Sequence, residues 1–157
     1  MIILAHRGFW LQAGEKNTRA SFIRSFENRF GVETDIRDSA EEIFISHDMA
    51  KGNEMTVDDF FKLYNSYDPV FPLALNVKAD GLCKMMADKL LKNKINNYFF
   101  FDMSLPDALG YIKEGLKIFC MLLLLAIHIK KLQRGYLPKF LRPHLFWDGI
   151  IYSDWYN

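Results

Sequence analysis

Short apolar runs that stop on a polar, chemistry-bearing residue recur along this chain, and they constrain its fold more than any other feature. Ile2 to Ala5 leads into His6-Arg7, Ile43 to Ser46 into His47-Asp48, Leu73 to Val77 into Lys78, and Tyr98 to Phe101 into Asp102. A continuous apolar run this short reads as a strand buried on both faces, the kind found in parallel sheets. Val32 to Ile36 alternates instead, with Glu33 and Asp35 on one face and Thr34 and Ile36 on the other. Two carboxylates on one strand face are costly to bury unless a cation joins them.

The segments between these runs carry helix signals. Asn17 or Thr18 caps a helix over about 18–29, with Phe22, Ile23 and Phe26 at helical spacing and Gly31 as its stop. Thr56-Val57-Asp58-Asp59 opens a second helix, running to about Tyr64, with a capping-box pattern. A third is expected over about 81–92, and Ser104 caps a short fourth that tolerates Pro106 in its first turn. Leu116 to Cys120 reads as one more strand. Alternating strands and helices imply parallel units joined by right-handed crossovers. The interval from Ile36 to Ser46 is too short for a crossover helix, so those two strands are expected to pair as a hairpin. In parallel α/β folds the C-terminal strand edge is where sites are built, and the polar residues named above all stand there.

The residue types at that edge suit one chemistry. A phosphodiester is anionic and its alkoxide is a poor leaving group. Hard oxygen ligands such as Glu33 and Asp35 favour Mg²⁺ or Ca²⁺, which stabilise charge on phosphate oxygens. Two imidazoles can move protons near neutral pH, and a guanidinium offers a planar fork to phosphate.

At this point the motifs have a counterpart. Ala5-His6-Arg7-Gly8, Glu15-Lys16-Asn17-Thr18, Gly31-Val32-Glu33-Thr34-Asp35-Ile36 and Ser46-His47-Asp48, in this order, resemble the glycerophosphodiester phosphodiesterase family over about residues 1–120. The resemblance implies a triosephosphate-isomerase-type (β/α) barrel, here incomplete, with about five parallel barrel strands plus a small hairpin strand. It implies metal-dependent hydrolysis of glycerophosphodiesters, or of a lipid headgroup, to an alcohol and glycerol phosphate. His6 and His47 would be the acid/base pair, and Arg7 and Lys78 would bind substrate. Glu33, Asp35, Glu15 and Asn76 would hold a divalent cation, Mg²⁺ or Ca²⁺.

The chain departs from the family in three respects. The family usually has Glu-x-Lys where this chain has Asn76-Val77-Lys78, which removes one negative charge from the metal set. Glu15 is one residue further from Asn17 than the common Glu-Asn-Thr places it. The 157 residues also fall short of the roughly 250 typical of such barrels. These departures keep two rivals open: a phosphate-ester-binding protein without turnover, and a truncated product without function.

Composition sets the remaining bounds. A net charge of +1 implies no general attraction to nucleic acid or membranes. Cys83 and Cys120 suggest reduced thiols, and the N-terminus lacks signal-peptide character, so a cytoplasmic location is expected. Residues 121–157 read as an atypical tail. It begins with the apolar run Met121 to Ile129, too short for a membrane span, and continues through a basic, Pro-containing stretch to an aromatic end. From residue 116 onward there are six basic residues against two acidic ones, and no Glu follows Glu114. That composition fits a shifted reading frame, and no strand is expected there.

Overall fold

In a computed structural model of the chain, residues 2–67, 70–119 and 150–153 are described. Their strands are β1 (Ile2–His6), β2 (Gly31–Ser39), β3 (Glu42–Ile45), β4 (Leu73–Val77), β5 (Tyr98–Phe101) and β6 (Ile150–Ser153). The helices are α1 (Arg19–Glu27), α2 (Val57–Asn65), α3 (Cys83–Lys92) and α4 (Leu105–Lys113), with one 3₁₀ turn at Ala13–Glu15. The strands form a single sheet in the order β5-β4-β2-β1-β6, all parallel, and β3 lies antiparallel to β2. Ile36 pairs with Val77 on one side and Ile45 on the other, so β3 takes over the edge of β2 where β1 ends. The hairpin expectation therefore holds.

Alternation splits the parallel strands into two faces. Val32, Ile36, Leu73, Leu75, Val77 and Phe100 point to the side that the helices cover. There they pack with Phe22 of α1, Phe60 and Tyr64 of α2, Met86 and Leu90 of α3, and Ala108 and Tyr111 of α4. Phe22 and Phe60 meet at 4.7 Å between ring centroids, and Phe100 and Tyr111 at 4.8 Å. Each such side chain contributes about 1.5–3 kcal/mol by leaving water. The opposite face carries His6, Glu33, Asp35, Ala74, Asn76, Phe99 and Phe101. A parallel sheet with helices on one face and polar groups on the other is part of a triosephosphate-isomerase-type barrel.

Helix starts follow the sequence. The Thr18, Thr56 and Ser104 side chains each accept the backbone N–H three residues on. The end of α1 does not. Arg29, not Gly31, takes the left-handed turn (φ 61°), and the Phe30 N–H closes onto the Ser25 carbonyl. Gly31 instead opens β2, where a Cβ would lie 2.5 Å from Leu4 Cδ2 and 2.7 Å from the Pro72 carbonyl. Its smallness serves strand packing rather than helix termination.

Two strand expectations are corrected. Leu116 to Cys120 is not a full strand; Ile118 makes a single parallel bridge to Phe100, and Cys120 lies outside the described residues. Conversely, Ile150–Ser153, in the supposed strandless tail, pairs in parallel with β1, Ile2 opposite Ile150 and Ala5 opposite Ser153. The apolar run and the basic stretch between them lie outside the described residues. Among the described residues no helix is long and apolar enough to cross a membrane.

Candidate functional site

The site begins where β1 stops. Arg7 adopts a left-handed conformation (φ 57°), followed by Gly8 (φ 81°). A Cβ on Gly8 would sit 2.5 Å from Ser21 Oγ, so only glycine lets this turn press against α1. The Ser21 hydroxyl donates to the Arg7 carbonyl and Ser25 Oγ accepts the Phe9 N–H. Trp10 Nε1 donates to the His6 carbonyl at 3.0 Å. The loop that presents His6 and Arg7 is thus fixed by α1 and by its own indole.

Register then builds a polar cluster on the open face. His6 lies beside Glu33 on β2, and Asp35 lies between Asn76 on β4 and Ser46 at the end of β3. Glu33 and Asp35 are fully buried, and Asn76 nearly so. Glu33 Oε2 accepts the Arg7 N–H at 3.0 Å and stands 3.6 Å from His6 Nε2. Glu33 Oε1 accepts from Asn76 Nδ2 at 3.2 Å. Asp35 Oδ2 is 2.9 Å from Arg7 Nε and accepts from Asn17 Nδ2 at 2.8 Å. Lys78 Nζ lies 3.6 Å from Asp35 Oδ1 and 3.0 Å from Asp102 Oδ2. His6, Arg7, Glu33, Asp35, Asn76 and Lys78 therefore form one network.

His47 stands at its margin. Its Nδ1 is 2.9 Å from Asp48 Oδ1, and its half-exposed ring lines a cavity together with Arg7 and Asn17. Glu15 is placed differently. Arg24 grips both of its oxygens, at 2.7 and 2.9 Å, and Oε2 also accepts the Leu11 N–H. Those bonds hold its carboxyl down to about 2, and they spend it on α1 rather than on the buried pair.

Two members of the network were not singled out as site residues by the sequence. Asn17, read there as a helix cap and as part of the Glu15-Lys16-Asn17-Thr18 motif but given no site role, has φ 58° and accepts from Thr34 Oγ1 while donating to Asp35. Asp102, at the end of β5, has φ 68° and holds Lys78. Left-handed non-glycine residues at a polar cluster mark positions that the surroundings over-determine. The signals available in sequence were the strand-end position of Asp102, the motif position of Asn17, and the residue types, since Asn and Asp tolerate this conformation best. Phe99 and Phe101, expected in the core, are half-buried on the site face.

The electrostatics are those of a crowded pair. Burial, and then the charge of Asp35, push the Glu33 carboxyl up to about 7, against the pull of the Asn76 amide, the Arg7 N–H and the Arg7 charge. Asp35 Oδ1 and Asn76 Oδ1 are both buried without a hydrogen-bond partner, on residues that face each other across β2 and β4. Among the described residues no three His, Cys, Asp or Glu side chains are arranged to hold a metal. Two orphaned oxygens beside Glu33 nonetheless fit a small, hard cation, whose coordination takes carbonyl as readily as carboxylate oxygen.

No family profile and no curated protein sequence matches the chain. Solved structures do. A protein assigned as a glycerophosphodiester phosphodiesterase from Galdieria sulphuraria superposes with a TM-score of 0.65 at 16% identity, over 76% of this chain and 63% of that one. The glycerophosphodiester phosphodiesterase from Agrobacterium tumefaciens str. C58 gives 0.61 at 16% identity, over 75% of this chain and 64% of that one. The chain thus spans a little under two thirds of either structure. Likeness at this identity speaks to architecture alone: the described residues form a partial (β/α) barrel like that of these two structures.

Proposed function

We propose that the chain is a phosphodiesterase acting on glycerophosphodiesters. The observation that carries this reading is the network itself: two cationic side chains, a buried carboxylate pair and an imidazole, gathered at the C-terminal edge of a parallel sheet with this architecture. Arg7 and Lys78 bind the phosphate, since both reach Asp35 and border the open face. Asp35 and Asn76 would hold a divalent cation, Mg²⁺ or Ca²⁺, through their oxygens left without hydrogen-bond partners, with the hydrogen-bonded Glu33 carboxyl beside them. Such a cation, when bound, supplies positive charge to the phosphate oxygens.

The protons are moved by this chain's own groups. His47 bonds Asp48 through Nδ1, which leaves Nε2 to take the proton from the attacking hydroxyl. His6, seated against Glu33, gives a proton to the departing alkoxide oxygen. The attacker is water or a neighbouring hydroxyl of the substrate.

The test is hydrolysis of glycerophosphocholine with added Mg²⁺ or Ca²⁺, read against His6→Ala. Turnover at least about 100-fold above that control is expected, the usual worth of a positioned acid or base. No rate above the control would refute hydrolysis. A second reading, a phosphate-ester-binding protein without turnover, is favoured by Asn76, whose amide already satisfies Glu33 where a third carboxylate would repel it. Binding of the diester without cleavage would select that reading.

A further inference from the structure

A cavity of about 610 Å³ opens beside the network, within the range of small-molecule sites. It shares Arg7, Asn17 and His47 with the site, whereas Glu33, Asp35, Asn76 and Lys78 do not line it. Its lining also carries Lys16, Arg19 and Lys51. A substrate phosphate held by Arg7 would therefore extend one of its two arms into a partly open, basic cavity.

The charges there are not all committed. Arg7 contacts Asp35, and Lys16 lies 4.5 Å over the Trp10 ring. Two carboxylates also line the cavity, but both are bonded. Asp48 holds His47, and Glu54 accepts the Lys51 and Gly52 backbone N–H groups, closing its own turn. The side chains of Arg19 and Lys51 have no hydrogen-bond or ion-pair partner among the described residues. Two exposed, unspent cations lining one partly open cavity match a doubly charged group, and a phosphate monoester presents that charge with several acceptor oxygens.

We propose that this cavity is a subsite for a phosphate monoester on the alcohol arm of the substrate, so that the preferred diester carries a second, terminal phosphate. The proposal rests on the phosphodiesterase reading for the position of the scissile phosphate. The subsite itself can be measured without turnover.

The experiment compares glycerophosphoinositol with glycerophosphoinositol 4-phosphate, which differ by that one group. In the wild-type chain kcat/KM for the phosphorylated diester should be about tenfold or more higher, mostly through KM, as expected for charge-assisted bonds. The exposed double variant Arg19→Ala/Lys51→Ala should lose that preference, keep its thermal midpoint, and change kcat/KM for the plain diester by less than about twofold. Calorimetric binding of both compounds to His6→Ala, with and without the double substitution, provides the turnover-free arm. Equal kcat/KM for the two diesters, or a preference that survives the double variant, overturns the subsite and leaves the phosphodiesterase reading intact. Absence of cleavage, with tighter binding of the phosphorylated compound that is lost in the double variant, supports the subsite and overturns hydrolysis. Neither cleavage nor binding overturns both.

Discussion

Glu33 shows how burial turns one carboxyl into a stability switch. Its folded-state value of about 7 lies above the ordinary 4.5, so the neutral form is the one the fold prefers. The stability it contributes is whole below about 4.5 and is lost as pH rises through about 7. The 2.5-unit difference corresponds to roughly 3 kcal/mol between the ends of that window. Glu33→Gln, which keeps the hydrogen-bonding shape without the charge, should flatten the dependence and be the more stable chain at pH 8. Urea unfolding at pH 4.5 and pH 8 checks this. Mg²⁺ or Ca²⁺ should raise the wild-type midpoint more at pH 8 than at pH 4.5, because a cation binds only the ionised pair. An equal shift at both pH values would count against a cation on these oxygens.

Asp102 raises the companion question of strain. Its φ of 68° costs about 1 kcal/mol in a residue with a Cβ, and its carboxylate holds Lys78 at 3.0 Å. Asp102→Gly should relieve the strain and leave the thermal midpoint unchanged or higher. If Lys78 binds the phosphate in the position Asp102 gives it, kcat/KM for glycerophosphocholine should fall about tenfold in the same variant. A midpoint that drops together with activity would make Asp102 a folding residue only. Neither residue's state was legible in sequence. The Glu33-Thr34-Asp35 alternation shows which face the acids share, but not that both are completely buried or that Arg7 and Lys78 meet them.

Among the elements, starts were easier to read than stops. Thr18, Thr56 and Ser104 declare their helices because a hydroxyl three residues before an N–H is a local, short-range signal. The stop of α1 at Arg29 and the β2–β3 turn are set by tertiary closure. Ala40 and Glu41 sit at φ 47° and 66°, in a two-residue hairpin turn with none of the Asn or Gly such turns favour. Replacing Glu41 with Gly should stabilise the hairpin by about 1 kcal/mol, read as a higher urea midpoint. Packing between helices adds a contact that no local pattern reveals. Asp58, in the first turn of α2, faces the last turn of α3. Burial raises its carboxyl, but bonds from Asn93, Lys89 and Lys92 outweigh that and hold it down to about 2. Its contribution is present above 3.8 and is lost as pH falls through about 2. Asp58→Asn should lower stability at pH 7 by about 2 kcal/mol and should make no difference near pH 2.

For the whole molecule, the decisive contact is the one that composition argued against. The parallel order of β1, β2, β4 and β5 follows from alternating strands and helices, so that part of the barrel was legible. The pairing of Ile150–Ser153 with β1 was not, because a non-local strand pair leaves no trace in a window of a few residues. In the sheet order this strand stands against the first one, where a (β/α) barrel brings its last strand round to meet its beginning. It covers the edge of β1, whose C-terminal end delivers His6 and Arg7, so the site depends on residues far from it in sequence. Ile151→Pro removes a donor from that ladder opposite Ile3 and should cost about 3 kcal/mol. Amide exchange in β1 should then accelerate by about 100-fold, while β4, flanked by β2 and β5, stays protected. Unchanged exchange at Leu4, whose N–H alternates away from β2 and toward β6, would mean that the pairing does not hold the edge of β1 in solution. Activity toward glycerophosphocholine should fall with β1 protection in the same variant, because the loop carrying His6 and Arg7 is only as fixed as the strand it leaves.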